Sequence, residues 1–208
     1  MRDILAGTLL ASLPLLVCSF LLIATGKFVF KMVMPWSSLV GVLGATIAVP
    51  LIEEFFFRGL LLGILLRALR PTPAALFTSA FFAVLHFLKA PAATNAVVTW
   101  YSGFRSIGNT FAQFADPMMV LALFATLFLI GWILADARLR TRSLFLPIGL
   151  HSGWILVAGL FGKLTRRGAI LLPWLGTNLL TGLLPLALGL ITWALMIVWL
   201  HHANRSRN

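Results

Sequence analysis

The chain has 208 residues, 61% of them hydrophobic and only 10% charged, with a mean hydropathy of +1.03. A soluble domain is about a quarter charged, so this composition cannot cover a surface in water and calls for a bilayer as solvent. The net charge of +11 does not make it a nucleic-acid binder: the 16 basic residues lie singly or in pairs between apolar runs, with no basic stripe on a helix face. Such residues serve as interfacial anchors and as contacts for anionic lipid.

A spanning helix needs about 20 apolar residues. The first candidate runs from Ile4 to Thr25, closed by Gly26 and Lys27. It is too long for the apolar core of a signal peptide and reads as a retained helix. The second runs from near Ser38 to about Leu66 and carries Glu53, Glu54 and Arg58 in its interior. The third opens with Thr72-Pro73 and continues to about Leu88; the fourth opens with Asp116-Pro117 and runs to about Ala135. Ser143 can cap a fifth helix reaching about Phe161, and the last spans Leu183 to Leu200. Apolar residues at helical spacing between Asn95 and Phe114 predict an amphipathic helix lying at the interface. Ala169 to Gly182 reads as a half-helix or re-entrant piece.

The expected fold is therefore all-α, a polytopic transmembrane helix bundle of about six spans plus an interfacial helix and a re-entrant segment. No linker, low-complexity run or internal repeat divides it, which predicts one membrane-embedded domain over residues 1–208. Basic residues split eight against seven between the two sides, and the Arg138-Arg140-Arg142 cluster tips that side towards the cytoplasm. The single cysteine, Cys18, lies in an apolar run and reads as a packing residue.

A charge within a membrane helix costs at least about 2.5–3.5 kcal/mol, so Glu53, Glu54 and Arg58 demand a reason. A buried ion pair is the purely structural one: Glu54 and Arg58 stand four residues apart in the favourable orientation. Glu53 points about 100° away and finds no partner on its own helix. An unpaired carboxylate in an apolar setting is a suitable general base. His86 is its expected partner. Glu53 lies 14 residues before Arg67 and His86 lies 14 after Thr72, so both sit about 21 Å from the same membrane face. Phe82, one turn before His86, can pack against the imidazole, though it also suits an ordinary core. His151 lies 8 residues into the fifth helix, about 12 Å deep and so roughly 9 Å shallower than the other two. His201 and His202 fall in the polar tail. Zinc-helix, nucleophile-elbow and phosphate-loop motifs are missing, and Ser152 beside His151 faces elsewhere. Two chemistries remain open: Glu53 activates water while the histidines stabilise the oxyanion, or Glu53 or Glu54 binds a divalent metal such as zinc with His86 and His151.

The motifs resemble those of the CAAX protease and bacteriocin-processing (CPBP, or Abi) family. Glu53-Glu54-Phe55-Phe56-Phe57-Arg58 matches its Glu-Glu-x-x-x-Arg motif, Phe82-Ala83-Val84-Leu85-His86 its Phe-x-x-x-His motif, and Arg142 to His151 the stretch leading to its third. The resemblance spans Glu53 to Ile155. It implies an intramembrane endopeptidase acting on membrane-associated protein or peptide substrates, in a bacterial inner or plasma membrane. Glu53 would be the water-activating base, with Glu54, Arg58, Phe82, His86 and His151 as the other site residues. In that family an asparagine four residues after the second histidine is thought to help hold the oxyanion; this chain has Ile155 there, and Asn178 is a candidate substitute. Two rival readings stay open. An ion- or proton-coupled transporter would use Glu53 and Glu54 as its cation site and break its helix near Gly44 and Pro50. A catalytically silent scaffold of the same family would be consistent with Ile155.

Overall fold

The computed structural model of the protein describes residues 1–33, 35–87, 117–167, 179 and 182–205. Six helices make up nearly all of it: α1 (Arg2–Ala24), α2 (Trp36–Leu65), α3 (Pro71–Phe87), α4 (Pro117–Thr141), α5 (Phe145–Leu164) and α6 (Leu183–Arg205). Five of them, all but α3, are long and apolar enough to cross a membrane. The sixth expected span, α3, has 17 described residues, or about 25 Å of helix. The expected interfacial helix between Asn95 and Phe114 lies outside the described residues, as do Asn178 and nearly all of the expected re-entrant piece.

Burial is inverted relative to a protein in water. On α1 the inward residues are small or polar apart from Leu15: Gly7, Ala11, Ser12, Cys18 and Ser19. Leu5, Leu9, Leu13, Leu16 and Phe20 are exposed on the outer face. Without a hydrophobic drive between helices, packing favours small residues that let backbones approach. The α1–α5 contact follows that rule. A Cβ on Gly7 would lie 2.7 Å from the Leu146 carbonyl oxygen, and one on Gly153 would lie 2.6 Å from that of Thr8. Gly149 is pressed harder still, against the Ile4 backbone. The protein is an integral membrane protein built as a helical bundle.

α5 also packs against α2, α4 packs against α3 and α6, and α6 returns to α1. A two-stranded antiparallel pair joins the far ends of α1 and α5: β1 (Phe28–Phe30) runs against β2 (Thr165–Arg167), with Val29 opposite Arg166. Gly26, with φ +69°, turns the chain out of α1 into β1. The N-cap of α5 is Leu144, not the expected Ser143; the Ser143 hydroxyl accepts the Phe145 N–H at 3.2 Å from one residue further out.

Two boundaries differ from expectation. α4 continues past Ala135 to Thr141, because the polar residues there bond along and between helices. Arg140 Nε donates to both oxygens of Asp136 at 2.8 and 2.9 Å, and Trp193 Nε1 on α6 donates to the same carboxylate at 2.9 Å. α6 likewise continues to Arg205. Within α2 the helix runs unbroken through Pro50, so the break expected of a transporter is not there. Instead Phe55–Leu61 winds as a π-helix directly after the two glutamates, a rare distortion that clusters at functional sites.

Candidate active site

Glu54 and Arg58 are both fully buried, and their ion pair is the site's foundation. Arg58 Nη1 donates to Glu54 Oε1 at 3.0 Å, and Nη2 donates to the backbone carbonyl of Gly131 on α4, also at 3.0 Å. The guanidinium lies 4.7 Å from the centre of the Phe82 ring, where the ring face stabilises a desolvated cation. A buried charge is tolerated when it is paired and hydrogen-bonded, and each of these contacts meets that need.

Glu54 has a second partner. Its Oε1 sits 2.8 Å from His151 Nδ1. Glu54 Oε1 also receives Arg58 Nη1 and acts as an acceptor, so the tautomer that fits this contact donates from Nδ1 and turns Nε2 away. α5 is shaped for this. Gly149 and Gly153 hold its back against α1, and His151, midway between them, projects from the opposite side. His86 is set in the same way from α3. Its Nδ1 lies 2.8 Å from the Phe82 carbonyl oxygen, which again must accept, so Nε2 is the free nitrogen.

Both free nitrogens face Glu53. Its Oε2 lies 3.8 Å from His86 Nε2 and 3.8 Å from His151 Nε2. That oxygen is buried without a hydrogen-bond partner among the described residues, while the Glu53 and His86 side chains are each about a quarter exposed. Phe82 packs on His86 with ring centres 4.2 Å apart and meets His151 edge-on at 6.1 Å. All six residues singled out in the sequence therefore converge. Glu53 and His86 are level, as the spacing predicts. The expected shallower position of His151 is corrected: it reaches the same point. Its depth was counted along ideal helices perpendicular to the membrane.

Gly131 went unnoticed in the sequence. Its only signal there is a glycine inside an apolar helix, which marks close backbone approach but names no partner. His201 and His202 are exposed and far along α6, as expected of a polar tail. Cys18 is buried and packs in the core. Ile155, one turn after His151, is half-buried.

The donor chemistry of Glu53, His86 and His151 suits a divalent metal, since one carboxylate oxygen and two imidazole lone pairs converge and both histidines are oriented through their other nitrogen. As placed, no group of three His, Cys, Asp or Glu side chains among the described residues forms a metal-binding cluster.

The family model for type II CAAX prenyl endopeptidases, Rce1-like, matches residues 35–157. That is more than half of the chain, and it contains every residue of the site. The chain belongs to the Rce1-like type II CAAX prenyl endopeptidase family. No curated protein and no solved structure matches it. Within the Rce1-like match fall α2 to α4 and the first two-thirds of α5; α1, which clamps the back of α5, precedes it, and α6 follows it.

Proposed function

We propose that this Rce1-like protein is an intramembrane endopeptidase in which Glu53 activates the attacking water. The observation that carries the reading is the convergence of Glu53 Oε2, His86 Nε2 and His151 Nε2 at 3.8 Å. That gap is too long for a direct hydrogen bond and fits a water bridging the three groups. Glu53 takes one proton from the water as its oxygen attacks the scissile carbonyl carbon, and returns it to the leaving amine as the C–N bond breaks.

The developing oxyanion needs positive charge or donors. With both Nδ1 atoms engaged by Glu54 and the Phe82 carbonyl, Nε2 is the atom each ring has left to offer. Nε2 of either ring can serve the oxyanion as a donor when it carries the ring's proton, and for His151 the Glu54–Arg58 pair fixes the ring from behind. Alternatively, Glu53, His86 and His151 would hold a divalent metal, which supplies Lewis-acid polarisation of the carbonyl. In both cases Glu54, Arg58 and Phe82 orient the imidazoles, and the apolar walls of Phe57 and Phe82 limit water.

The family suggests prenylated CAAX peptides as the substrate class, presented from the bilayer. The test is to place the purified protein in liposomes with a farnesylated CAAX peptide and follow cleavage by mass spectrometry. Cleavage by wild type and none by Glu53→Gln supports the proposal. Equal profiles for the two proteins overturn Glu53 as the base. Ile155 favours one second reading, a catalytically silent scaffold, which predicts that Glu53→Gln leaves every cellular property of the protein unchanged.

A further inference from the structure

We infer that Gly131 is a positioning residue for His151, acting through Arg58 and Glu54; its effect on turnover rests on the peptidase reading above, its effect on geometry does not. Arg58 is a forked donor on a long, flexible stem. Its grip on Glu54 alone would leave the fork free to swing and carry the carboxylate with it. The second prong, Nη2 to the Gly131 carbonyl at 3.0 Å, anchors the fork to the α4 backbone. A continuous line of bonds then runs from the Gly131 carbonyl through Arg58 to Glu54 Oε1, and from there to His151 Nδ1 at 2.8 Å. At its end, Nε2 of His151 points at Glu53.

A side chain at this position would disturb the line. A Cβ on residue 131 would lie 3.0 Å from Ser79 Cα, 3.1 Å from its Cβ and 3.2 Å from its carbonyl oxygen. These are atoms at the backbone of α3, with no flexible side-chain end to yield, so α3 and α4 must part by a few tenths of an ångström. Ser79 stands one turn before Phe82, the ring that lies over Arg58 and against His86. Gly131 therefore sets both the anchor of the fork and the spacing of the helix that carries its aromatic cover. Other glycines differ: Gly41, Gly44 and Gly63 face open space.

The test reads His151 directly. The protein holds four histidines, so 15N-histidine labelling of the full chain in lipid bilayers gives few resonances, and His151→Gln assigns the one whose Nδ1 proton is bonded to a carboxylate. That resonance is expected in wild type and in Gly63→Ala. It should be lost or moved to the position of an unbonded imidazole in Gly131→Ala. In the same variant kcat for the farnesylated CAAX peptide falls roughly tenfold with KM unchanged, the effect of a small misplacement of a reacting group. Arg58→Lys keeps the charge without the fork and should lose the resonance too. The double variant should lose no more activity than the more severe single one, because the two changes break one line of bonds. An unchanged His151 resonance in folded Gly131→Ala, or additive losses in the double variant, overturns the assignment. Should Gly131→Ala fail to fold, a retained resonance in Arg58→Lys overturns it instead. A protein that cleaves nothing would still give the resonance and its loss, so failure of the peptidase reading leaves this test intact.

Discussion

Glu54 Oε1 lies 2.8 Å from His151 Nδ1 across the α2–α5 contact, while its neighbour Glu53 finds no hydrogen-bond partner for Oε2 among the described residues and sits 3.8 Å from the far nitrogen of the same ring. Two adjacent carboxylates thus address opposite ends of one imidazole. One holds the ring and neutralises Arg58; the other is left with chemistry to do.

The two should respond to substitution in opposite ways. Glu54→Gln removes the only carboxylate bonded to the fully buried Arg58 among the described residues, and an uncompensated buried charge costs about 3–5 kcal/mol. Its expected signature is a large loss of thermal stability and of folded yield in detergent. Glu53→Gln breaks no ion pair shorter than 3.8 Å among the described residues and should unfold within a few degrees of wild type while losing activity. Equal destabilisation of both would show that Glu53 is a structural group as well.

The glycine seam of α1 and α5 should be intolerant of even a methyl group. In Gly153→Ala the new Cβ meets the Thr8 carbonyl oxygen at 2.6 Å and Ala11 Cβ at 2.9 Å, and overpacking of this kind costs about 1–3 kcal/mol. Gly44→Ala, which meets nothing within 4 Å, should be neutral or stabilising by up to about 1 kcal/mol. Thermal unfolding of the two variants side by side separates the cases.

Arg142, in the turn between α4 and α5, has φ +53° and is the sole non-glycine residue with positive φ among those described. A left-handed backbone costs an L-residue about 1–2 kcal/mol, and its side chain is exposed. Arg142→Gly should therefore raise the unfolding midpoint. A lower midpoint would mean that the arginine side chain contributes more than its backbone loses.

Ile155 follows His151 by one helical turn, where the resemblance noted in the sequence expects an asparagine. An amide there adds a donor beside the histidine. Ile155→Asn is expected to raise peptide turnover about tenfold or more, in line with the worth of one oxyanion donor. Unchanged turnover would mean that the site obtains its oxyanion donors elsewhere.

Much of the site was legible because helices keep strict register. Glu53 and His86 lie at equal distance from a short connection, and arithmetic at 1.5 Å per residue puts them level. The i,i+4 spacing likewise announces the Glu54–Arg58 pair and the stacking of Phe82 on His86. His151 was misplaced because it belongs to a helix with no such shared origin, and the π-turn at Phe55–Leu61 went unseen because it has no pattern in side-chain periodicity. The pairing of Phe28–Phe30 with Thr165–Arg167 joins two three-residue segments, too short to show alternation. The extension of α4 to Thr141 depends on Trp193, 57 residues away from Asp136, a contact that no local reading contains. Gly131 was invisible for a related reason: its function resides in a carbonyl that every residue possesses.

The central claim is that Glu53 drives peptide-bond hydrolysis in the membrane. Its most direct test compares protein termini in the membrane fraction of the native host expressing either wild type or Glu53→Gln, by mass spectrometry. New termini found only with wild type are the predicted result, and they would identify the substrate as well. Identical termini, with both proteins expressed and folded, would contradict the account.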